Sequence, residues 1–129
     1  MTGIIKVNEL QGRTTAGDIT VTSEGGAATM QLQQGLVKFW MQADLTTMTY
    51  DDSFNASSAT DTAIGEMTSA FTNNFSNASY SITGASNSGD ANIYNGAQTT
   101  GQWRTNMRSE ANASTDASFG GYMIAGDLA

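Results

Sequence analysis

Single hydrophobic residues alternate with polar ones along much of this chain, which is the pattern of strands with one buried and one solvated face. The segment QWRTNMRS shows it most clearly, because Trp103, Thr105 and Met107 face one way and the residues between them face the other. Such segments are short and are separated by Ser, Asn, Gly and Asp, as in a β-sandwich. The pattern predicts strands over residues 36–43, 46–50, 64–71, 79–85, 91–95, 102–109 and 119–125.

The N-terminal region carries two more alternating segments, IIKVNEL at 4–10 and DITVTS at 18–23, followed by the turn-forming EGGAA at 24–28. Residues 29–34 fit either a strand or a short helical turn, and we favour the turn. These segments stand apart from the aromatic-rich remainder. We therefore predict an N-terminal arm, residues 1–35, that anchors the protein and supports oligomerisation. The arm residues expected to make those contacts are Ile4, Ile5, Val7, Leu10, Ile19 and Val21.

Residues 36–129 are predicted to form the head, an antiparallel β-sandwich of jelly-roll-like type. Isolated aromatic residues among Asn, Ser, Thr and Ala are typical of strands on which only the inner face is hydrophobic. Ile82 is expected to point inward with the strand aromatics, and Phe54 and Phe75 are expected to close the ends of the sandwich. The residues predicted to anchor the core or a subunit contact are Trp40, Phe54, Phe71, Tyr80 and Trp103.

The hydrophobic core predicted from this composition is small. Ile, Leu, Val and Phe together make up 20 of the 129 residues, and Met, Tyr and Trp supply the remaining bulk. Small domains with little core usually need disulfides, metals or oligomerisation. Cysteine is absent, so disulfides are excluded, and we predict a homotrimer.

The charge pattern excludes several classes of partner. The net charge is −7, and the five Lys and Arg residues are scattered, which argues against nucleic-acid binding. The hydrophobic runs are all too short to cross a membrane, so we predict no membrane insertion. The start MTGIIKVNEL has no basic region leading into a long apolar one, so we expect synthesis in a cytoplasm without a signal peptide.

The sequence offers little material for catalysis. His and Cys are both absent, which removes the usual nucleophile–base pairs and the usual zinc sites. Asp51 and Asp52 are neighbours, and on a regular strand they would point to opposite faces. The oxygen-rich segment DDSFNASSATD, interpreted as a loop, could wrap Ca²⁺, but no spacing matches an EF-hand. We predict a protein that is not an enzyme and that needs no metal or cofactor.

Two surface roles stay open beside the structural one. Arg104 and Arg108 share one strand face, where they could bind a polysaccharide or, as we favour, pair with acidic residues at a subunit contact. Aromatic residues could stack against sugar rings, although we favour core and interface roles for them. The aromatic residues considered for such a face are Trp40, Tyr50, Tyr80, Tyr94, Trp103 and Tyr122.

The segment from GLVKFW through DSFNASSATD to FTNNFSNASYSIT resembles a module of virion proteins from marine tailed bacteriophages. The resemblance covers about residues 35–83, with a looser match at IIKVNELQGR, and it departs from the module's usual pattern at KFW, where a small residue normally stands between the anchors. The matching positions are Lys38, Trp40, Asp52, Ser53, Phe54, Asn55, Phe71, Asn77, Ala78 and Tyr80.

Proteins with this module are similar to tail-fibre tips and other virion surface proteins, which are generally trimeric and non-enzymatic. The resemblance therefore implies a structural protein on the virion exterior, made in a bacterial host cytoplasm, with the major capsid protein or tail proteins as partners. A chain of 129 residues that begins at Met fits a capsid decoration or cement protein better than a long tail fibre. The alternatives are a tail fibre or spike protein that binds a host-surface glycan, and a polysaccharide-degrading enzyme.

Overall fold

The computed structural model describes residues 5–14, 19–22, 26, 28–88, 90–93 and 97–129. The chain divides into two compact units, Met1–Leu36 and Val37–Ala129. The described residues are all-β apart from one 3-10 turn, and every strand pairing among them is antiparallel. This agrees with the predicted fold class at the level of an antiparallel, sandwich-like β protein.

The first unit contains a two-stranded hairpin, β1 (Thr20–Thr22) with β2 (Thr29–Gln31), and then the 3-10 turn Gln33–Gly35. Strand β1 confirms the second predicted arm strand. The predicted helical turn at 29–34 is wrong in its first half, which is β2. The predicted strand at 4–10 is wrong for its described residues, which lie outside any strand or helix. An alternating pattern becomes a strand only where another backbone accepts its hydrogen bonds, and the described residues supply none there.

The second unit contains eight strands in its described part. They are β3 Phe39–Asp44, β4 Thr49–Phe54, β5 Ala56–Ala63, β6 Glu66–Phe71, β7 Ser81–Ser86, β8 Asp90–Ile93, β9 Gln102–Arg108 and β10 Gly120–Ala125. The first sheet has the order β4-β3-β10-β7, and the second sheet has the order β5-β6-β9-β8. Seven of these strands overlap the predicted ones, and only β5 has no predicted counterpart.

The core lies between the two sheets and is built from the inward residues of their central strands. Trp103, Thr105 and Met107 on β9 are fully buried, as their alternation predicts. The Trp103 ring of the second sheet meets first-sheet aromatics, with ring centroids 6.0 Å from Phe39 and 4.9 Å from Tyr122. The hydroxyls of Thr105 and Tyr122 also hydrogen-bond across the gap. The two sheets therefore pack face to face through side chains of both.

One end of the core is closed by an aromatic cluster. The ring centroids of Phe71 and Phe75 lie 4.8 Å apart, and those of Phe75 and Tyr80 lie 4.6 Å apart. The Tyr80 hydroxyl donates toward the carbonyl oxygens of Thr99 and Gln102, each 3.0 Å away. Burial raises the pKa of Tyr80 to about 12, although the hydrogen bond to Thr99 opposes the shift. The predictions of an end-closing Phe75 and inward Phe71 and Tyr80 are confirmed, since all three side chains are buried.

The segment interpreted as a loop, DDSFNASSATD, is instead the end of β4, a one-residue corner and most of β5. The corner is Asn55, which has a positive φ of 63°, a region that Asn tolerates better than most residues. Its side chain accepts from the Asn73 backbone N–H at 2.7 Å and donates to the Lys38 carbonyl oxygen at 2.9 Å. The chain thereby passes from the first sheet to the second. Consequently Phe54 does not close the sandwich and is 51% exposed, so that prediction is wrong.

Candidate binding face

The outward surface of the first sheet carries a row of large hydrophobic side chains. Residue pairing places Trp40 opposite Phe54 on one side and opposite Met123 on the other, and Met123 opposite Thr83. Trp40 is 36% exposed and Met123 is 49% exposed, so the row is open to solvent in the single chain. We call Trp40, Phe54 and Met123 the apolar row.

A depression of about 460 Å³ lies beside the apolar row. Trp40, Gln42, Thr83 and Met123 are among the residues that line it. Gly121 pairs with Gln42 in the next cross-strand row, and its missing side chain leaves the sheet surface open at that point. The volume of the depression is sufficient for one or two sugar rings or for the side chains of a peptide.

The β4 side of this surface is anionic. Asp52 is the cross-strand partner of Gln42, and the Gln42 side-chain amide donates to an Asp51 carboxylate oxygen at 3.2 Å. A register shift opposite Gln42 and Ala43 inserts an extra residue into β4, so the neighbouring carboxylates both lie beside one side chain. The prediction that they lie on opposite faces assumed a regular strand and does not hold at this bulge.

The outward surface of the second sheet is polar and bonded within the chain. Arg104 forms an ion pair with Glu66 at 3.3 Å, and the Asn106 amide donates to the other Glu66 carboxylate oxygen at 3.1 Å. Thr68 accepts from the Arg104 guanidinium at 3.3 Å and shares a hydrogen bond with Thr62 at 2.9 Å. Arg104 therefore has a carboxylate partner in its own chain.

The predicted anchors divide between the core and the surface. Phe71, Tyr80 and Trp103 are buried, whereas Trp40 and Phe54 stand on the outward surface. The six aromatics considered for a sugar-stacking face do not share one, because Trp103, Tyr80 and Tyr122 are core residues. Tyr50 is half-buried and donates to the Ser58 carbonyl oxygen, and Tyr94 lies outside the described residues.

The predicted arm residues are mostly exposed where the structure describes them. Ile5, Val7, Leu10 and Val21 are open to solvent, and Ile19 is half-buried. The remaining predicted arm residue, at position 4, lies outside the described ranges.

Sequence reasoning did not find most residues of the depression, among them Gln42, Thr83, Gly121 and Met123. A signal for Met123 was present, because Tyr122 and Ile124 alternate with it in GGYMIA. The depression itself depends on which strands become neighbours, and single-strand patterns do not contain that information.

The part of the chain that the structure describes holds no group of three or more His, Cys, Asp or Glu residues arranged to hold a metal ion. Among the same residues, no helix is both long enough and apolar enough to cross a membrane. Comparisons with protein-family models, with curated proteins and with solved structures give no match.

Proposed function

We propose that this protein is a non-enzymatic structural protein on the exterior of a tailed-bacteriophage particle, where it acts as a trimeric capsid decoration or cement protein. The observation that supports this proposal best is the apolar row on the outward surface of the first sheet. Large apolar side chains set side by side on a surface are typical of contact sites for another macromolecule. A protein whose task is assembly requires such a surface and no catalytic cluster.

The resemblance to phage virion proteins supports the same proposal from a different direction. Its matching positions include Trp40 and Phe54, which pairing makes neighbours in the apolar row. They also include Asn55, whose side chain fixes the corner between the sheets. The shared residues therefore include the residue that fixes the corner between the sheets and two residues of the exposed apolar row.

The arm gives the proposed protein its second means of attachment. Its exposed Ile5, Val7 and Leu10 have too few hydrophobic neighbours for a core of their own. Such a segment gains most by adding to a neighbouring subunit or to the capsid shell. We also propose that the arm is extended and that the strands of the head are connected in a jelly-roll-like order.

The location on the particle is the decisive test. Antibody against the purified chain, imaged on intact particles by electron microscopy, should label the capsid surface. Chains lacking residues 1–28 and full-length chains should then be added to particles that lack the protein. We expect the truncated chain to dock at least tenfold more weakly. Equal docking would mean that the arm is not the anchor, and labelling restricted to the tail would overturn the capsid assignment.

A second candidate function is supported by the depression beside Trp40. In a tail fibre or spike protein, the indole would stack on a sugar ring while Gln42 and Thr83 offer polar groups to its hydroxyls. Binding of the isolated protein to host cells, lost in Trp40→Ala and retained in Ile64→Ala, would favour this function, because Ile64 is exposed but does not line the depression. Release of reducing sugar from host polysaccharide would instead favour the enzyme alternative and would contradict the main proposal.

A further inference from the structure

We infer that residues 5–13 of one copy lie on the apolar row of a second copy. The inference deepens the proposed function, because it names the partner of the apolar row as another molecule of the same chain. The inference can be tested with the purified protein alone.

The first support is that the arm presents exposed hydrophobic side chains at a spacing that the apolar row can accommodate. The apolar row spans about 10 Å, since its three residues lie on adjacent strands about 4.8 Å apart. On the arm, Ile5 is 83% exposed, Val7 is 58% exposed and Leu10 is 55% exposed. In an extended chain Ile5 and Val7 would project from the same side about 7 Å apart, so both fit within the length of the row.

The second support is the shape of the receiving surface. Gly121 leaves the depression open next to Met123, and a side chain from another molecule can enter there without displacing backbone. An aliphatic side chain suits this position because Trp40 and Met123 present apolar surface on either side.

The third support is charge. Residues 1–14 contain Lys6, Arg13 and a single acidic residue, so this segment is net positive. The remainder of the chain contains three basic and eleven acidic residues. Asp51 and Asp52 lie at the β4 side of the apolar row. The cationic segment 1–14 therefore complements this surface, whereas two heads meeting through the same anionic surface would repel each other.

The absence of cysteine makes a direct crosslinking test clean. We would mix chains carrying Val7→Cys with chains carrying Met123→Cys, oxidise them mildly and identify the joined peptides by mass spectrometry. We expect the peptide pair 7–123 to be at least tenfold more abundant than the pair formed when Thr60→Cys replaces the head variant. Thr60 is the matched control because it is an exposed residue on the second sheet.

A chain that carries both Val7→Cys and Met123→Cys distinguishes contact between copies from contact within one copy. Crosslinked dimers or larger species support the inference. A crosslink closed within single chains at low concentration would overturn it, and so would equal yields with the Thr60 control.

Sedimentation supplies a readout without cysteine. Val7→Asp and Met123→Asp should each weaken association at least tenfold, while Ile64→Asp in the exposed turn between β5 and β6 should leave it unchanged. Unchanged association in the first two variants would overturn the inference. Failure here, together with capsid labelling of intact particles, would leave the proposed function standing and remove only this partner assignment.

Discussion

The two outward surfaces of the head are built on the same strand alternation but carry opposite chemistry. On the second sheet, Glu66 accepts from both Arg104 and Asn106, so Arg104 and Glu66 are paired within the chain. On the first sheet, the equivalent outward positions carry Trp40 and Met123, which are open to solvent in the single chain. The second sheet can therefore face water as it is, whereas the first sheet is stabilised when another surface covers it.

The greatest loss of stability is expected from a change in the core between the two sheets. Trp103→Ala should lower the free energy of unfolding by about 3–5 kcal/mol, because Trp103 is fully buried between the sheets. Urea unfolding followed by circular dichroism measures the change. Trp40→Ala is the comparison, and below the association threshold it should cost clearly less, because Trp40 is 36% exposed and Trp103 is fully buried. Equal losses in the two variants would mean that Trp40 is as much a core residue as Trp103.

A smaller effect is expected from adding one methyl group on the inner side of the first sheet. A Cβ atom at Gly84 would overlap the Tyr122 ring and would lie 2.8 Å from the Gly121 carbonyl oxygen. The ring cannot move aside easily, because it contacts Trp103 and hydrogen-bonds to Thr105. Gly84→Ala should therefore cost about 1–3 kcal/mol in thermal or urea unfolding. A neutral result would show that the sheets are not tightly packed at this point.

Part of the difference between the two outward surfaces can be predicted from the sequence. Alternation predicted the buried face of β9, and the same alternation of Phe39 and Met41 on β3 implies that Trp40 points outward. Trp40 was nevertheless grouped with possible core anchors, because size and hydrophobicity alone do not separate a core residue from a contact residue. Strand pairing, which makes Met123 its neighbour, was not predictable from either segment alone.

Strand β5 shows a different limit of sequence reasoning. Its segment ASSATDTA has no large hydrophobic residue, so it gives no periodic signal, and it was interpreted as loop. It forms an edge strand because β6 offers it a backbone partner through most of its length. The corner at Asn55 was likewise hidden, since its hydrogen bonds reach residues 17 and 18 positions away.

The aromatic cluster at one end of the core should make the free energy of unfolding depend on alkaline pH. Burial raises the pKa of Tyr80 to about 12 from an ordinary value of 10.0, so the folded state holds the phenol proton more tightly than the unfolded state. The stabilisation is fully present below pH 10 and is lost as the pH rises toward 12, by at most about 1.4 kcal/mol per pH unit. Tyr80→Phe should show a shallower alkaline decline in urea unfolding. Identical declines would mean that other groups govern it.

The polar surface of the second sheet should respond weakly to loss of its ion pair. Arg104 and Glu66 are both partly exposed, so a double-mutant cycle with Arg104→Met and Glu66→Gln should give a coupling of about 0.5–1 kcal/mol. Added salt should reduce it. Neither variant should alter sedimentation, because this surface is satisfied within the chain. A shift toward smaller species would reveal that the second sheet also takes part in association.

The smallest loss of stability is expected at Gly121, on the outward side of the first sheet. Gly121 pairs with Ala85 on β7, one position along from the Tyr122–Gly84 pair, and faces outward. A Cβ atom at Gly121 would lie 3.4 Å from the Phe119 ring, which can give way at the surface. Gly121→Ala should therefore change the free energy of unfolding by less than about 0.5 kcal/mol. The added methyl group nevertheless projects into the depression beside Met123. Association measured by sedimentation should consequently weaken although the fold is intact, because an incoming aliphatic side chain would meet the methyl group. Unchanged association would place the contact elsewhere on the molecule, whereas a loss of stability as large as that of Gly84→Ala would mean that this side of the sheet is packed and not open.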